Sequence, residues 1–273
     1  MHQPQIIINM SKPKISIITI SYNSEKTIEE TIRSVISQDY DNLEYIIIDG
    51  CSKDSTMDIV NKYRDKISYI VSEPDKGISD AFNKGIKVAT GEIIGIINSD
   101  DLLLPNALKT VASYYSPDVD VYLGSLKIYN PEIKTVNIAI PSLKYSASSR
   151  DMIVCHPSTF IMRKTYLKYG FYKPHFRYMM DMDLLIRLSQ GGANFLRIDQ
   201  PLAQFTFGGI TDNTSFKKGF KEYATMLKDN GASTICILSF LIRASLYRFV
   251  KNICYRLGIW NYLRSRKYKQ DIG

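Results

Sequence analysis

Residues 91–101 read GEIIGIINSDD, a short isoleucine-rich run that ends abruptly in an amide, a hydroxyl and two adjacent carboxylates. A dense β-branched run bounded this way predicts a strand buried on both faces. The same pattern recurs upstream. Ile15–Ser21 (ISIITIS) predicts a strand that breaks at Tyr22-Asn23-Ser24. Ser24 then reads as an N-cap, and Ile28, Ile32, Val35 and Ile36 fall at helical spacing. A second strand over Glu44–Ile48 stops at Asp49-Gly50, and Ser55 with Asp58 resembles a capping box. A third strand near Tyr69–Val71 precedes a helix from Ser79 to about Val88. Strand and helix alternating at this rhythm predict βαβ units, a parallel sheet and an α/β fold.

Beyond Pro105 the pattern loosens. It predicts a helix to about Tyr115, strands over Val119–Ile128 and Thr135–Ile140, and a mobile polar loop over Ser142–Arg150. A strand near Thr159–Met162, a helix from Asp181 to Gln190 and a strand at Phe195–Ile198 close a domain expected to end near Gly209. The organisation expected is an N-terminal extension over 1–13, an α/β domain over 14–209 and a C-terminal basic amphipathic helical region over 210–273.

The formal charge of +8 is concentrated: Ala232–Gly273 holds eight basic residues and one acidic residue, so it supplies +7. The remainder is close to neutral, which argues against a nucleic-acid binder. The four cysteines lack CxxC pairing and zinc-like spacing with the three histidines, as expected of reduced thiols in a cytoplasmic protein. MHQPQIIINMSKPK has no signal-peptide pattern, and no run of 18 apolar residues is present. From Ser233 onward, Ile235, Leu238, Ile242, Leu246, Phe249, Ile253, Leu257 and Trp260 recur at steps of three and four. With Arg243, Arg248, Lys251 and Arg256 on other faces, residues 233–269 read as an interfacial helix, or a pair broken near Gly258. Packing on its own domain or in a homodimer is the alternative.

In open parallel sheets, ligands bind at the carboxyl ends of the strands. Those ends carry Tyr22 and Asn23, then Asp49, then Glu73 and Asp75, then Asp100 and Asp101. A single loop acid usually means turn chemistry, but a run of such ends suggests a site. The adjacent pair Asp100 and Asp101 repel, and a hard divalent cation would resolve the conflict. A nucleoside diphosphate gives such a cation a purpose, since its leaving charge needs neutralising. An Asp that merely caps Leu102–Leu108 is the plainer reading.

ISIITISYN, DYDNLEYIIIDGCSKDST and DKGISDAFNKGIKVATGEIIGIINSDD together resemble the donor half of family 2 glycosyltransferases with the GT-A fold, of the capsular and O-antigen type. CHPSTFIMR at 155–163, DMDLLIRL at 181–188 and FTFGGIT at 205–211 continue the likeness into the acceptor half. The resemblance implies an inverting, metal-dependent enzyme that moves one sugar from a nucleoside diphosphate donor, UDP by preference, to an acceptor hydroxyl. It places Ser21, Tyr22 and Asn23 at the nucleotide, with Tyr22 against the base and Asp49 on base or ribose. Asp75 and Asp80 would line the donor sugar, and Asn98, Ser99 and Asp100 occupy the DxD segment. Asn98 departs from that motif, leaving Asp100 and Asp101 to hold Mn2+ or Mg2+. Asp181 matches the general base of the Glu-Asp pair, although Met180 stands in place of the Glu. Its position at a helix start favours ionisation, and a simple helix cap is the alternative. His156 and Asp183 are further candidate contacts to donor or acceptor; a core histidine is the plainer reading of His156. Arg187 is expected to be structural.

The implied partners are a nucleotide-sugar and a glycan or lipid-linked acceptor at the inner membrane surface, with no nucleic acid. SYNSEKT lacks the glycines that a nucleotidyltransferase or a nicotinamide dehydrogenase needs after its first strand. The absence of a QxxRW signature argues against a processive synthase. A non-catalytic sugar-nucleotide or membrane adaptor is the rival of a different class.

Overall fold

Side chains alternate across each central strand, and this sets the layers. The computed structural model describes residues 12–131, 134–149, 152–206 and 216–256. Its first half runs β1 (Ile15–Ser21), α1 (Ile28–Ile36), β2 (Leu43–Asp49), α2 (Thr56–Asn61), β3 (Tyr69–Ser72), α3 (Ile78–Val88) and β4 (Ile93–Asn98). Ile15 and Ile17 of β1 face a core shared with Ile28, Ile32 and Val35 of α1 and Val60 of α2. Ile18 faces the opposite core, with Phe82 and Ile86 of α3. The sheet is thus covered on both sides, as its continuous apolar strands require.

The second half runs β5 (Leu102–Leu103), α4 (Ala107–Ser113), β6 (Val121–Asn130), β7 (Thr135–Ala139), β8 (Thr159–Met162), α5 (Arg163–Tyr169), α6 (Met180–Gln190) and β9 (Phe195–Thr206). Helices α7 (Phe216–Asp229) and α8 (Thr234–Arg256) follow. The described strands form one sheet in the order β3-β2-β1-β4-β8-β6-β9-β5, with β7 on β6. The β3-β2-β1-β4 portion is parallel, and β8 then runs antiparallel to both β4 and β6. Because β2 and β4 flank β1, the chain order reverses there, and a crevice opens at the carboxyl ends of β1 and β4.

The expected α/β architecture holds, with several local corrections. Ser24 does not cap α1 with its side chain: its carbonyl accepts from the N–H groups of Thr27 and Ile28. Its hydroxyl instead accepts from Ser99 Oγ at 2.7 Å, which ties the ends of β1 and β4 together. No capping box closes at Ser55, because Asp54 Oδ1 takes the N–H of Thr56. Helix α5 goes beyond the expected elements, α7 falls inside the helical region expected over 210–273, and β9 runs on to Thr206 through Pro201. The Ser142–Arg150 stretch has no regular element, yet it is pinned where described. Tyr145 and Ala147 are buried, and the Tyr145 hydroxyl donates to Ile153 O at 3.0 Å. The expected boundary near Gly209 and most of the 1–13 extension lie outside the described residues.

The C-terminal helices dock on the α3/α6 side of the sheet. Met226 and Leu227 of α7 enter that core, and Tyr223 stacks on Phe240 of α8 at 4.2 Å between centroids. The opposite face of α8 is uncovered: Ile235 is 80% exposed, and Leu238, Ile242, Leu246, Val250 and Ile253 are exposed with it. Own-domain packing of that stripe is therefore corrected for its described members. Phe249 as a side chain, and Leu257, Trp260 and the basic residues beyond, lie outside the description. Among the described residues, no helix is long and apolar enough to cross a membrane.

Candidate active site

Parallel register builds the first part of the site. Ser21 lies beside Asp49, and Asp49 beside Ser72. Asp49 is 0% exposed. It accepts from Ser21 Oγ at 2.9 Å, Ser52 N at 2.9 Å, Ser52 Oγ at 2.5 Å and Ser72 Oγ at 2.6 Å. A carboxylate has about four acceptor positions, and these bonds fill them. Asp49 and Ser21 form a knot that shapes the β2 loop.

That loop is clamped to the turn after β1. Asn23 adopts a left-handed φ of 50°, which asparagine tolerates. Its N–H donates to Ser52 Oγ and its Oδ1 accepts from Lys53 N, each at 2.8 Å. Tyr22 stays 58% exposed. A Cβ on Gly50 would stand 2.5 Å from Asp75 Oδ2 and 3.4 Å from Tyr22 Cδ2. Tyr22, Gly50 and Asp75 therefore meet at the ends of β1, β2 and β3, and only a glycine leaves room there. Asp75 Oδ1 also accepts from Gly77 N at 2.9 Å, and Asp80 Oδ2 from Lys76 N at 3.0 Å. These two acids hold the DKG turn that opens α3, with Gly77 at a φ of 122°.

The second part lies at the end of β4. Asn98 Nδ2 donates to Asp101 Oδ2 at 3.1 Å. Asp100 is partly exposed, and burial raises its pKa. Asp101 is 0% exposed. Burial first, then the Asp100 charge, push its carboxyl up to about 8, while His156 and Asn98 pull the other way. His156 sits on a single turn before β8, its ring stacked on Phe82 at 5.0 Å and 16°. Its Nδ1 lies 3.0 Å from Asp181 Oδ1 in the first turn of α6. Burial drives the His156 pKa down, but Asp181 and Asp101 outweigh it and hold the imidazole above its ordinary range.

Asn98 Oδ1, Asp101 Oδ1, His156 Nε2 and Asp181 Oδ1 are buried without a hydrogen-bond partner; the His156–Asp181 approach misses hydrogen-bond geometry despite its short distance. Unmet buried polar atoms are costly, and natural proteins keep them where a ligand, ion or water engages them. The cavity beside His156 and Asp181 is only about 10 Å³, room for roughly one water. A larger open cavity of about 380 Å³ lies between residues 175–178 and α7.

No group of three His, Cys, Asp or Glu side chains gathers as a metal cage among the described residues. The donor set still fits a hard divalent cation shared with a diphosphate. Such ions take one or two carboxylates and complete their shell with phosphate and water. Asp100 and Asp101 would supply the oxygens, one of them the Asp101 Oδ1 that no protein donor engages.

Asp183, in the first turn of α6, is held by protein donors. It is 0% exposed and receives Lys173 Nζ, Arg187 Nε and Asn230 Nδ2, each at 2.8 Å. Arg187 also donates to the carbonyls of Tyr169 and Phe171, the structural role expected of it. Residues that pattern reading missed are Ser72, Phe82, Lys173, Glu222 and Asn230. Only tertiary contacts identify them, although Ser72 is legible once the β2–β3 register is known.

Several comparisons bear on this arrangement. The family model described as "Glycosyl transferase family 2" matches residues 16–179. An uncharacterized glycosyltransferase of Rickettsia typhi is 25% identical over 269 residues, covering 94% of this chain and 84% of that protein. The Escherichia coli UDP-Glc:alpha-D-GlcNAc-diphosphoundecaprenol beta-1,3-glucosyltransferase WfaP is 43% identical over 88 residues, 32% of this chain and 35% of that protein. The crystal structure of Staphylococcus aureus TarS 1–349 in complex with UDP-GlcNAc aligns with a TM-score of 0.62 at 20% identity, covering 84% of this chain and 71% of that one. The last of these carries the fold alone. With the family model spanning both the donor-half loops and the turn before α6, this chain belongs to glycosyl transferase family 2.

Proposed function

We propose that the protein transfers one sugar, with inversion, from a nucleoside diphosphate donor to a hydroxyl of a lipid-linked glycan in the assembly of a bacterial surface polysaccharide. The carrying observation is the set of buried, unpartnered polar atoms of Asn98, Asp101, His156 and Asp181 at the crevice of the sheet. UDP is the preferred nucleotide, on the likeness to a relative whose name specifies UDP-Glc. The lipid-linked acceptor rests on the diphosphoundecaprenol in that name and on the uncovered apolar stripe of α8.

Tyr22 packs against the base, and Asn23 holds the turn that presents it. Asp75 and Asp80 set the DKG turn along the donor sugar. Asp100, with Asp101 behind it, would hold Mn2+ or Mg2+, which when bound offsets the charge that develops on the departing diphosphate. Asp181 removes the proton from the acceptor hydroxyl. The acceptor oxygen bonds to the anomeric carbon as the bond to the diphosphate breaks on the opposite face, and the proton stays on Asp181 Oδ. His156, wedged between Phe82 and Asp181, keeps the carboxylate oriented. The α8 stripe lies on the inner leaflet of the cytoplasmic membrane, with Arg243 exposed beside it.

A thermal-shift series with UDP, GDP, dTDP and CMP, each with and without Mn2+, tests the donor site. One nucleotide with Mn2+ at ~100 times its Kd should stabilise by about 2.7 kcal/mol. The shift should vanish in Asp100→Ala. No shift with any of them would return the adaptor reading.

A further inference from the structure

Helix α6 carries Asp181, and nothing in its own sequence secures how the chain enters it. Its N-cap, Met179, makes no side-chain cap bond, and Met180 offers no polar group. The three backbone N–H groups of the incoming turn instead converge on a single distant atom. Glu222 Oε1 of α7 accepts from Arg177 N at 2.8 Å, Tyr178 N at 2.6 Å and Met179 N at 2.9 Å. Consecutive amides that point at one anion form a concave nest, and bonds to an ionised oxygen are about twice as strong as neutral ones.

A second tie runs from the other end of α7. Asn230 Nδ2 donates to Asp183 Oδ1 at 2.8 Å, and Gln190 Nε2 donates to Asn230 O at 2.9 Å. Asp181 lies between these two anchor points, two residues from each of Met179 and Asp183. The direction of its Cα–Cβ bond follows from the backbone that Glu222 holds. The C-terminal region is thus built into the catalytic half through a polar clamp.

We propose that Glu222 is a positioning residue for Asp181: it fixes the turn at 177–179, and through it the orientation of the carboxylate toward His156 and the acceptor. The proposal rests on Asp181 being the base. Glu222 touches no reacting atom, so its loss should act on turnover and leave donor affinity alone.

Hydrogen–deuterium exchange and steady-state kinetics on the full chain test this. In Glu222→Ala, amides 177–182 should exchange about tenfold faster or more, while peptides from β1 to β4 keep their rates. Turnover is followed as nucleoside diphosphate released from UDP-glucose, UDP-N-acetylglucosamine or GDP-mannose, whichever the wild type consumes. In Glu222→Ala, kcat should fall on the order of 10–100-fold, the scale of a roughly 1 Å misplacement. The donor KM should stay within about twofold. Glu222→Gln keeps an acceptor oxygen and should restore both exchange and kcat to within about threefold of wild type.

Unchanged exchange or unchanged kcat in Glu222→Ala overturns the proposal. So does a parallel loss of donor binding, or a Gln variant no better than Ala. If the Ala variant fails to fold, failure of Glu222→Gln to hold wild-type exchange at 177–182 overturns it equally. Asp181→Asn separates the two readings. Turnover retained there removes the base assignment whatever Glu222 does; turnover lost there but kept in Glu222→Ala removes the positioning role alone.

Discussion

At the residue scale, the protein donors around each acid separate those that hold the fold from those with an oxygen to spare. Asp49 and Asp183 look like site residues in the sequence, because a carboxylate at a strand end or a helix start is what a donor or acceptor needs. Each is 0% exposed and saturated by protein donors. Asp100 and Asp181 keep accessible surface, which suits them to chemistry. Asp49→Asn should therefore behave as a stability variant. Its new amide would face donors, and loss of a charged hydrogen bond costs about 1.5–3 kcal/mol. The melting temperature should drop by roughly 2–4 °C per kcal/mol, read by calorimetry. A wild-type melt combined with lost nucleotide affinity would restore the direct contact.

At the element scale, the βαβ half was legible because its signals are local: β-branched runs, helical spacing and strand-end acids all lie within a few residues of one another. That alternation implies the parallel pairing; the order β3-β2-β1-β4 comes from the tertiary structure. The missed helix α5 depends on packing instead; its Tyr166, like Met226 of α7, is buried by partners far along the chain. The clasp at the opposite end of the sheet is likewise tertiary. Glu44 accepts from Lys14 Nζ, Ser16 Oγ and Thr90 Oγ1, joining the starts of β1 and β2 to the loop before β4. Burial works to raise its pKa, but these donors prevail and hold it down at about 2. A carboxyl with a depressed folded pKa contributes stability above its unfolded value and loses it as pH falls through the folded one. The melting-temperature gap between wild type and Glu44→Gln should be full at neutral pH and close between about pH 4.5 and 2. A gap that does not change across that range would contradict the clasp.

At the scale of the whole molecule, a neutral catalytic body carries a basic tail whose described apolar stripe is uncovered. Its periodicity was legible in sequence; which face stays bare was not, because Ile237 and Phe240 turn inward only through contacts with the α7 side. The protein should sediment with vesicles containing phosphatidylglycerol and far less with phosphatidylcholine alone, at roughly 1 kcal/mol per basic residue near the surface. Ile242→Asp with Leu246→Asp should release it; unchanged sedimentation, or a shift from dimer to monomer instead, would assign the stripe to another copy of the chain. In the proposed function, donor binding and proton removal reside in separate parts of one machine, the β1–β4 crevice and the α6 N-terminus. The most direct test measures sugar transfer and nucleotide affinity side by side in Asp181→Asn. Transfer should fall by several orders of magnitude while the Mn2+-dependent nucleotide Kd stays within about twofold of wild type. Transfer that survives, or affinity that is lost in step with it, would overturn this division between the two parts.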